Sequence, residues 1–491
     1  MKISVIGAGL GGLATSCLLA RNGHHVTLFE KNDTPGGKMS QVTSNGFRFD
    51  TGPSLLTMPE ILDEIFHQCG SRLSEHIKLM PLDPLCRYNY EDGTVFDSYF
   101  DRQKSIEAVR SIAPEDEQAY TDFLSYASGL FEKTASSFLY NPLQRLSDLR
   151  NIKLSDALQI DAFKTVSDRI DVSFRSQYMR QFFKRFTTYN GSSPYKAPAT
   201  LNVIPHIELN KGGYYVDGGM YRIAEALEEL AVSLGVRFLY KTSVSNIKVS
   251  KGSVTGIISN GLFVKSDLVV SNSDASDTYL NLIEAGNLNP KHRNKMAGIE
   301  PSSSGFVMLL GIDKLYTQLK HHNIFFSKDY HREFTDIFDR LIMPADPTIY
   351  IANTSCSNPE DAIAGGSNLF VLVNAPYISS KYNWEDQSSF YSDFVIKELE
   401  NRGLHGLKKS IRYKRVINPI DFHKLYRSNK GSIYGTSSNR KLSAFARPGN
   451  KSSWFNKLYL TGGSTHPGGG VPLVLLSALH VNKLIEREHK Y

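Results

Sequence analysis

Cysteine is scarce: the 491 residues hold four, Cys17, Cys69, Cys86 and Cys356, far apart and without a CxxC pair. That spacing excludes a disulfide framework and a cysteine-built metal centre, and points to reduced thiols of a cytosolic protein with no structural metal. Long apolar runs are missing too. No stretch reaches the roughly 18 uncharged apolar residues that a membrane-crossing helix needs. A secretory leader is not legible: a single charge precedes the strand-like Ile3-Ser4-Val5-Ile6, where an apolar run and a cleavage site would have to stand first. A cytoplasmic location is expected. Nor is either sign of charge in large excess: 56 Lys and Arg against 49 Asp and Glu give a net +7. Spread over so large a surface, that excess reads as solvation, so no nucleic-acid partner is expected. It suits an anionic cofactor or an anionic bilayer.

What is present is the composition of a folded protein, 41% hydrophobic and 21% charged, in a chain long enough for two or three packed domains. The first thirty residues carry a strong signal. An apolar strand runs into Gly7-Ala8-Gly9-Leu10-Gly11-Gly12, a helical stretch Leu13–Asn22 closes at Gly23, and a second strand, Val26–Phe29, ends on Glu30. Gly7 permits a tight turn, Gly9 a close backbone approach to a pyrophosphate, and Gly12 close packing of helix on strand. The helix N-terminus aims free N–H groups at the phosphates. Glu30 stands where a carboxylate accepts the hydroxyls of an adenosine ribose, and its charge would repel the 2′-phosphate of NADP. NAD and FAD are not separated by these residues. Further on, Gly36 and Gly37 allow the backbone to pass close to a ligand, and Lys38 supplies a cation beside a diphosphate. Phe49-Asp50-Thr51-Gly52-Pro53-Ser54 follows.

Taken together, Gly7–Gly12, Glu30, Gly36-Gly37-Lys38 and Phe49–Pro53 resemble the N-terminus of the bacterial-type phytoene desaturases. These are carotenoid oxidoreductases within the amine-oxidase-like FAD superfamily. The resemblance implies an α/β fold: a Rossmann-type FAD-binding domain (a GR2-like flavoprotein fold) with a substrate domain of mixed β-sheet plus helices. It implies FAD as cofactor and an apolar carotenoid as substrate. Oxygen or a quinone would be the electron acceptor.

A second glycine block, Gly212-Gly213 and Gly218-Gly219-Met220, precedes an amphipathic helix with Ile223, Leu227, Leu230 and Leu234 on one face. Short strands follow at Val236–Tyr240, Val244–Val249, Val254–Ile258, Leu262–Val264 and Leu268–Val270, with Asn260-Gly261 as a hairpin signal. At the C-terminus, Lys457–Leu460 reads as a buried strand, Thr461–Gly470 as a glycine-rich loop, and Leu473–Ile485 as a helix with Pro472 near its first turn. By the resemblance, the FAD contacts also include Gly11, Pro53, Ser54, Leu55, Val244, Asn272, Gly462, Gly463, Gly470, Val471, Pro472 and Leu473. The FAD-binding domain would comprise residues 1–75, 211–275 and 415–491, and the substrate domain 76–210 and 276–414. Ser432–Tyr434, Phe445–Gly449 and Gly468–Leu476 resemble the 1-hydroxycarotenoid 3,4-desaturase branch.

Among the inserts, Gly305–Ile312, Thr348–Asn353 and Leu369–Asn374 read as buried strands of a second sheet, with Phe306, Met308, Phe325, Phe326 and Tyr377 as candidate walls of an apolar tunnel. Phe174, Tyr178, Phe182 and Phe186 recur at helical spacing beside Arg175, Arg180, Lys184 and Arg185, and no Asp or Glu occurs from Val172 to Ile207. Such a basic amphipathic helix is able to lie on an anionic membrane, and equally to be a core-facing helix with a solvated basic face. The expected chemistry is desaturation by hydride transfer to flavin, at C3–C4 of a 1-hydroxycarotenoid. Phytoene desaturation and carotenoid isomerisation or saturation are the alternatives within the family. Amine or protoporphyrinogen oxidation, and a non-enzymatic prenyl chaperone of the Rab-escort type, lie outside it. No catalytic base is evident, although His466 stands in the C-terminal loop as a candidate.

Overall fold

The strand Lys2–Ile6 is the middle of a parallel sheet. The computed structural model describes residues 1–142, 161, 164–439 and 447–489, and among these five strands form that sheet. Their order is Leu458–Leu460, Leu268–Ser271, Lys2–Ile6, His25–Phe29 and Arg237–Leu239. Strands of this kind are apolar on both faces because both are covered. The sequence shows how: Leu268 and Val270 pack with Ile3, Val5 and Leu28 against the helices Leu10–Arg21, Arg222–Ser233 and Val471–Glu488. Val269 and Ile6 turn the other way, onto Ile247 and Ile257 of an antiparallel layer. That layer is made of Val244–Ser250, Ser253–Ser259 and Leu262–Lys265. The alternation is the period-2 geometry of a strand.

A second, mixed sheet lies beyond it. Its strands run in the order Ile411–Ile417, Ser304–Ile312, Ser367–Ala375, Ile349–Asn353, His322–Phe325, Cys86–Asn89 and Val95–Ser98. All neighbours are antiparallel except His322–Phe325 with Cys86–Asn89. The three long strands read from the insert are here, but alternation sorts their side chains differently from the expectation. Phe306, Met308 and Phe325 face the helix Trp384–Asn401 and form a core of their own. Phe326 packs between the rings of Tyr88 and Tyr90, and Tyr377 lies beside the Lys430 ammonium. Val307 and Leu309, one position along, point to the opposite face with Phe370, against Phe47 and Phe49.

The basic aromatic segment is not one surface helix. The helix Val166–Ser173 stops at Phe174, whose backbone is extended. The Asp116 carboxylate accepts the N–H groups of Arg175 and Ser176, Ser176 caps the next helix through Tyr178 N–H, and that helix spans Gln177–Lys184. Phe174, Phe182, Phe183 and Phe186 are buried, Phe174 stacking on Phe183 at 4.6 Å and Phe182 meeting Tyr88 edge-on at 5.0 Å. Lys184 is buried and paired with Asp171 at 2.7 Å. The aromatic face is therefore interior, and it is not available to a bilayer. Among the described residues no helix is long and apolar enough to cross a membrane, and all four cysteines are free.

One buried acid braces the segment behind this region. Glu333 accepts hydrogen bonds from Thr348 N–H, Thr348 Oγ1–H and Ser327 Oγ–H, or donates to the latter two when protonated. Burial lifts its carboxyl from an ordinary 4.5 to about 7. Between those two values the unfolded chain has released the proton and the folded one still holds it, so stability falls as pH rises through that window. Glu333→Gln reproduces the protonated form. Unfolding free energies from denaturant titration should match wild type near the lower limit, and exceed it by about 3 kcal/mol above the upper one. Parallel midpoints at every pH would refute the assignment.

Candidate active site

The parallel sheet places the first and last glycine blocks at one edge, whereas Gly212-Gly213 and Gly218-Gly219 flank a separate short strand, Tyr214–Val216, away from the cavity. Gly7 follows the strand Lys2–Ile6, Glu30 follows His25–Phe29, Asn272 follows Leu268–Ser271, and Gly462 follows Leu458–Leu460. These are the carboxyl ends of the strands, where open α/β sheets bind ligands. They line a cavity of about 660 Å³ that continues onto the face of the second sheet.

The first glycine turn is built around Asn272. A side-chain carbon on Gly12 would stand 2.1 Å from the Gly7 carbonyl oxygen, which is why helix and strand can close up only without one. Gly9 and Gly11 lie equally close to the Asn272 amide, which donates from Nδ2 to the Gly7 carbonyl at 3.3 Å. Gly7, Gly9, Gly11 and Asn272 face the cavity, while Gly12 stays inside the packing. Glu30 is buried beside the turn. One carboxylate oxygen accepts Ala8 N–H and the other Asn32 N–H, both at 2.8 Å, and the side chain borders the cavity next to Val244.

Gly36 and Gly37 also line it, Gly37 passing over Gly9 and Gly36 bridging to it. Lys38 lines the wall, but its ammonium does not stand free for a diphosphate. It donates to the carbonyls of Ser432 and Ile433 at 3.0 and 2.9 Å, and burial draws its pKa down to about 8. The nearby Asp50 is an internal brace: with Asp361 and Tyr215 it holds the Arg48 guanidinium. Pro53, Ser54 and Leu55 border the cavity where its two parts join, for Ser54 Oγ shares a 2.5 Å hydrogen bond with Tyr350 Oη of the second sheet. On the C-terminal side Gly462, Gly463, Gly470, Val471, Pro472 and Leu473 complete the wall.

His466 is the exception. It does not line the cavity; its Nε2 pairs with the Asn141 carbonyl at 3.1 Å, its ring stacks on His480, and burial holds its pKa down to about 4. It is a packing residue. Phe445 and Ala446 of the C-terminal motif lie outside the described residues, whereas Arg447 borders the cavity, fully enclosed.

Two helices begin at this cavity without a side-chain cap, Leu10–Arg21 after Gly9 and Val471–Glu488 after Gly470. Their free N–H groups and positive dipole ends suit a diphosphate at one and the electron-rich edge of a reduced flavin at the other. An acceptor for ribose, a glycine cleft and two uncapped helix starts on one wall fit FAD.

Residues 10–485 match the family described as flavin containing amine oxidoreductase. The chain belongs to that family. It is 36% identical over 485 residues to a 4,4'-diaponeurosporene oxygenase of Staphylococcus haemolyticus, covering 98% of this chain and 96% of the relative. An oxidoreductase from Methanosarcina mazei shares the fold with a TM-score of 0.66 at 17% identity, over 98% of this chain and 100% of the other. A redesigned putrescine oxidase gives 0.66 at 12% identity, over 99% of each. This family makes the protein an FAD-dependent oxidoreductase.

Several side chains on the cavity wall were not singled out from the sequence as site residues. Arg185 is buried rather than solvated: Nη2 donates to Tyr88 Oη and to Glu208, and Glu208 also accepts the Tyr189 hydroxyl. Tyr350 Oη shares a 2.8 Å hydrogen bond with Nδ1 of His322, and burial keeps that imidazole neutral. Glu208 is the first acid after the long acid-free stretch that holds Arg185, a pairing signal that was there to be read. Nothing local marks His322 or Tyr350.

Proposed function

We propose that the protein oxidises one end of an acyclic carotenoid, introducing oxygen at a terminal position. The observation that carries this reading is one continuous cavity, which leads from the glycine cleft, past Ser54, into a chamber walled by Val307, Ile324, Phe370, Leu372, Leu201, Ile204 and Ile207. A polyene is held by such walls at about 0.8 kcal/mol for each buried CH₂. A relative matched over 96% of its length carries the name 4,4'-diaponeurosporene oxygenase.

Bound FAD supplies a two-electron hydride acceptor. The chain's own residues keep the chamber dry and fix which carbon of the substrate faces the Pro53–Leu55 loop. Replacing a terminal C–H by C–OH with water as the oxygen source releases two electrons and two protons, and dioxygen or a quinone takes the electrons away.

A second reading, C3–C4 desaturation of a 1-hydroxycarotenoid, draws on the polar groups of the chamber, Arg185 and His322 among them, which suit a hydroxylated end. Mass spectrometry of products from the FAD-loaded protein separates the two. With an acyclic carotene, gain of oxygen is expected, traced with labelled water and labelled dioxygen. Loss of two hydrogens from the 1-hydroxylated carotene, with no oxygen gained from either, would establish desaturation instead. An isomer of unchanged mass would remove both.

A further inference from the structure

We propose that Arg185, Tyr330 and His322 form a receptor for an oxygen atom carried at the end of an otherwise apolar ligand. All three line the cavity, and all three are more than nine-tenths buried. Each leaves a polar atom without a hydrogen-bond partner: Nε of Arg185, Oη of Tyr330 and Nε2 of His322. Buried polar atoms without partners are rare in folded proteins. These three share the cavity with the apolar Ile324, Leu201, Ile204 and Ile207 and offer their free polar atoms to a ligand; a further one, Nη1 of Arg447, also belongs to the cavity wall.

The group is held in place from behind. Glu208 and Tyr88 fix Arg185, and Tyr189 completes the Glu208 carboxylate. The Arg185 charge acts on both Tyr330 and His322, pulling their pKa values down against the effect of burial at the first and with it at the second, so the three share one electrostatic neighbourhood. Glu333 and Tyr195 also act on Tyr330, and His321 on His322.

The donor set specifies the ligand. Arg185 Nε–H and Tyr330 O–H both offer protons to lone pairs on an oxygen. His322 is neutral, and its Nδ1 is tied through Tyr350 to Ser54 at 2.8 and 2.5 Å. Both hydroxyls rotate, so the chain of three sets Nε2 as an N–H donor in one arrangement and as a lone-pair acceptor in the other. A hydroxyl, which both donates and accepts, is matched in either case, and an aldehyde, which only accepts, is matched when Nε2 is the donor. A carboxylate is not, because Glu208 already neutralises Arg185 and a second negative charge would find no cation of its own among these three residues. A hydrocarbon terminus leaves all three atoms unsatisfied.

The inference rests on the reading of the chamber as a carotenoid site, and the experiment tells the two apart. FAD-loaded protein is chemically reduced so that binding proceeds without turnover, and Kd is read from the absorption shift of the polyene. Three acyclic carotenoids of equal chain length are compared, with hydrocarbon, hydroxyl and aldehyde ends. Wild type should bind the two oxygenated ligands at least about tenfold more tightly than the hydrocarbon. Tyr330→Phe should lower that preference several-fold while leaving hydrocarbon affinity, flavin content and the unfolding midpoint unchanged. A purely packing role for Tyr330 would leave the preference untouched. Equal, saturable binding of all three ligands to wild type would overturn the receptor and keep the chamber; that comparison needs no variant. Failure of every carotenoid to bind would overturn both.

Discussion

Glu30→Ala is expected to yield protein with little bound FAD. The side chain does two jobs at once. Its carboxylate oxygens accept Ala8 N–H and Asn32 N–H, so they fasten the first glycine turn to the end of the neighbouring strand, and the same group borders the cavity where a ribose would sit. Hydrogen bonds to a charged acceptor contribute about 1.5–3 kcal/mol each. Losing two, together with any made to the cofactor, should weaken FAD binding by about a hundredfold or more. Glu30→Gln keeps one acceptor oxygen but turns an NH₂ toward the other N–H, and should fall between. Gly9→Val reaches the same end by filling space, since its Cβ would lie 2.8 Å from the Asn272 amide nitrogen on the cavity wall. Flavin-to-protein ratios from visible absorption, with FAD titration of the stripped protein, give the measurement. Wild-type stoichiometry and affinity in both Glu30→Ala and Gly9→Val would remove the cleft from the cofactor site.

Arg185→Met should be among the most destabilising single substitutions in the chain. It strands the Glu208 carboxylate, whose side chain is 2% exposed, with only the Tyr189 hydroxyl for a partner. Removing one member of a buried ion pair costs about 3–5 kcal/mol, mainly because the other charge stays behind. Arg185→Met combined with Glu208→Gln removes that charge and keeps an acceptor for Tyr189, so it should recover roughly half of the loss. Denaturant unfolding of the FAD-loaded single and double variants measures both. A double variant less stable than Arg185→Met alone would show that the guanidinium holds the fold through Tyr88 and its aromatic neighbours rather than through Glu208. Separate cofactor titrations distinguish this stability effect from a loss of FAD.

The parts of the fold that could be read from sequence are those whose pattern is local. Gly7–Glu30 encodes strand, turn, helix, strand and acid within thirty residues, each step fixed by contacts to near neighbours, and the observed elements fall where that pattern puts them. The strands at 304–312, 349–353 and 367–375 were legible as apolar runs. Which of their side chains face the chamber was not. A strand apolar on both faces gives no sign of which face meets a helix and which meets a ligand. Phe306 and Met308 therefore go to the helix side, and Val307 to the other.

The segment around Arg185 shows the same limit from the opposite direction. Helical spacing of Phe174, Tyr178, Phe182 and Phe186 suggested one amphipathic helix, but Asp116, nearly sixty residues earlier, caps the chain at Arg175 and Ser176 and breaks it there. Lys38 and His466 likewise have the residue types of a cofactor cation and a catalytic base. Their roles were decided by the carbonyls of Ser432, Ile433 and Asn141, which no local pattern places beside them.

By itself the sequence determined the glycine cleft at the head of the parallel sheet, because a glycine turn, an acid at the next strand end and a helix start work through backbone geometry within a few residues; the flavin was implied by the family resemblance. Only the tertiary structure decided which polar atoms meet in the chamber. Arg185, His322, Tyr330 and Tyr350 come from separate helices and strands, and only the packing of these distant segments brings them to the same cavity, where Arg185, His322 and Tyr330 each keep a buried polar atom without a partner.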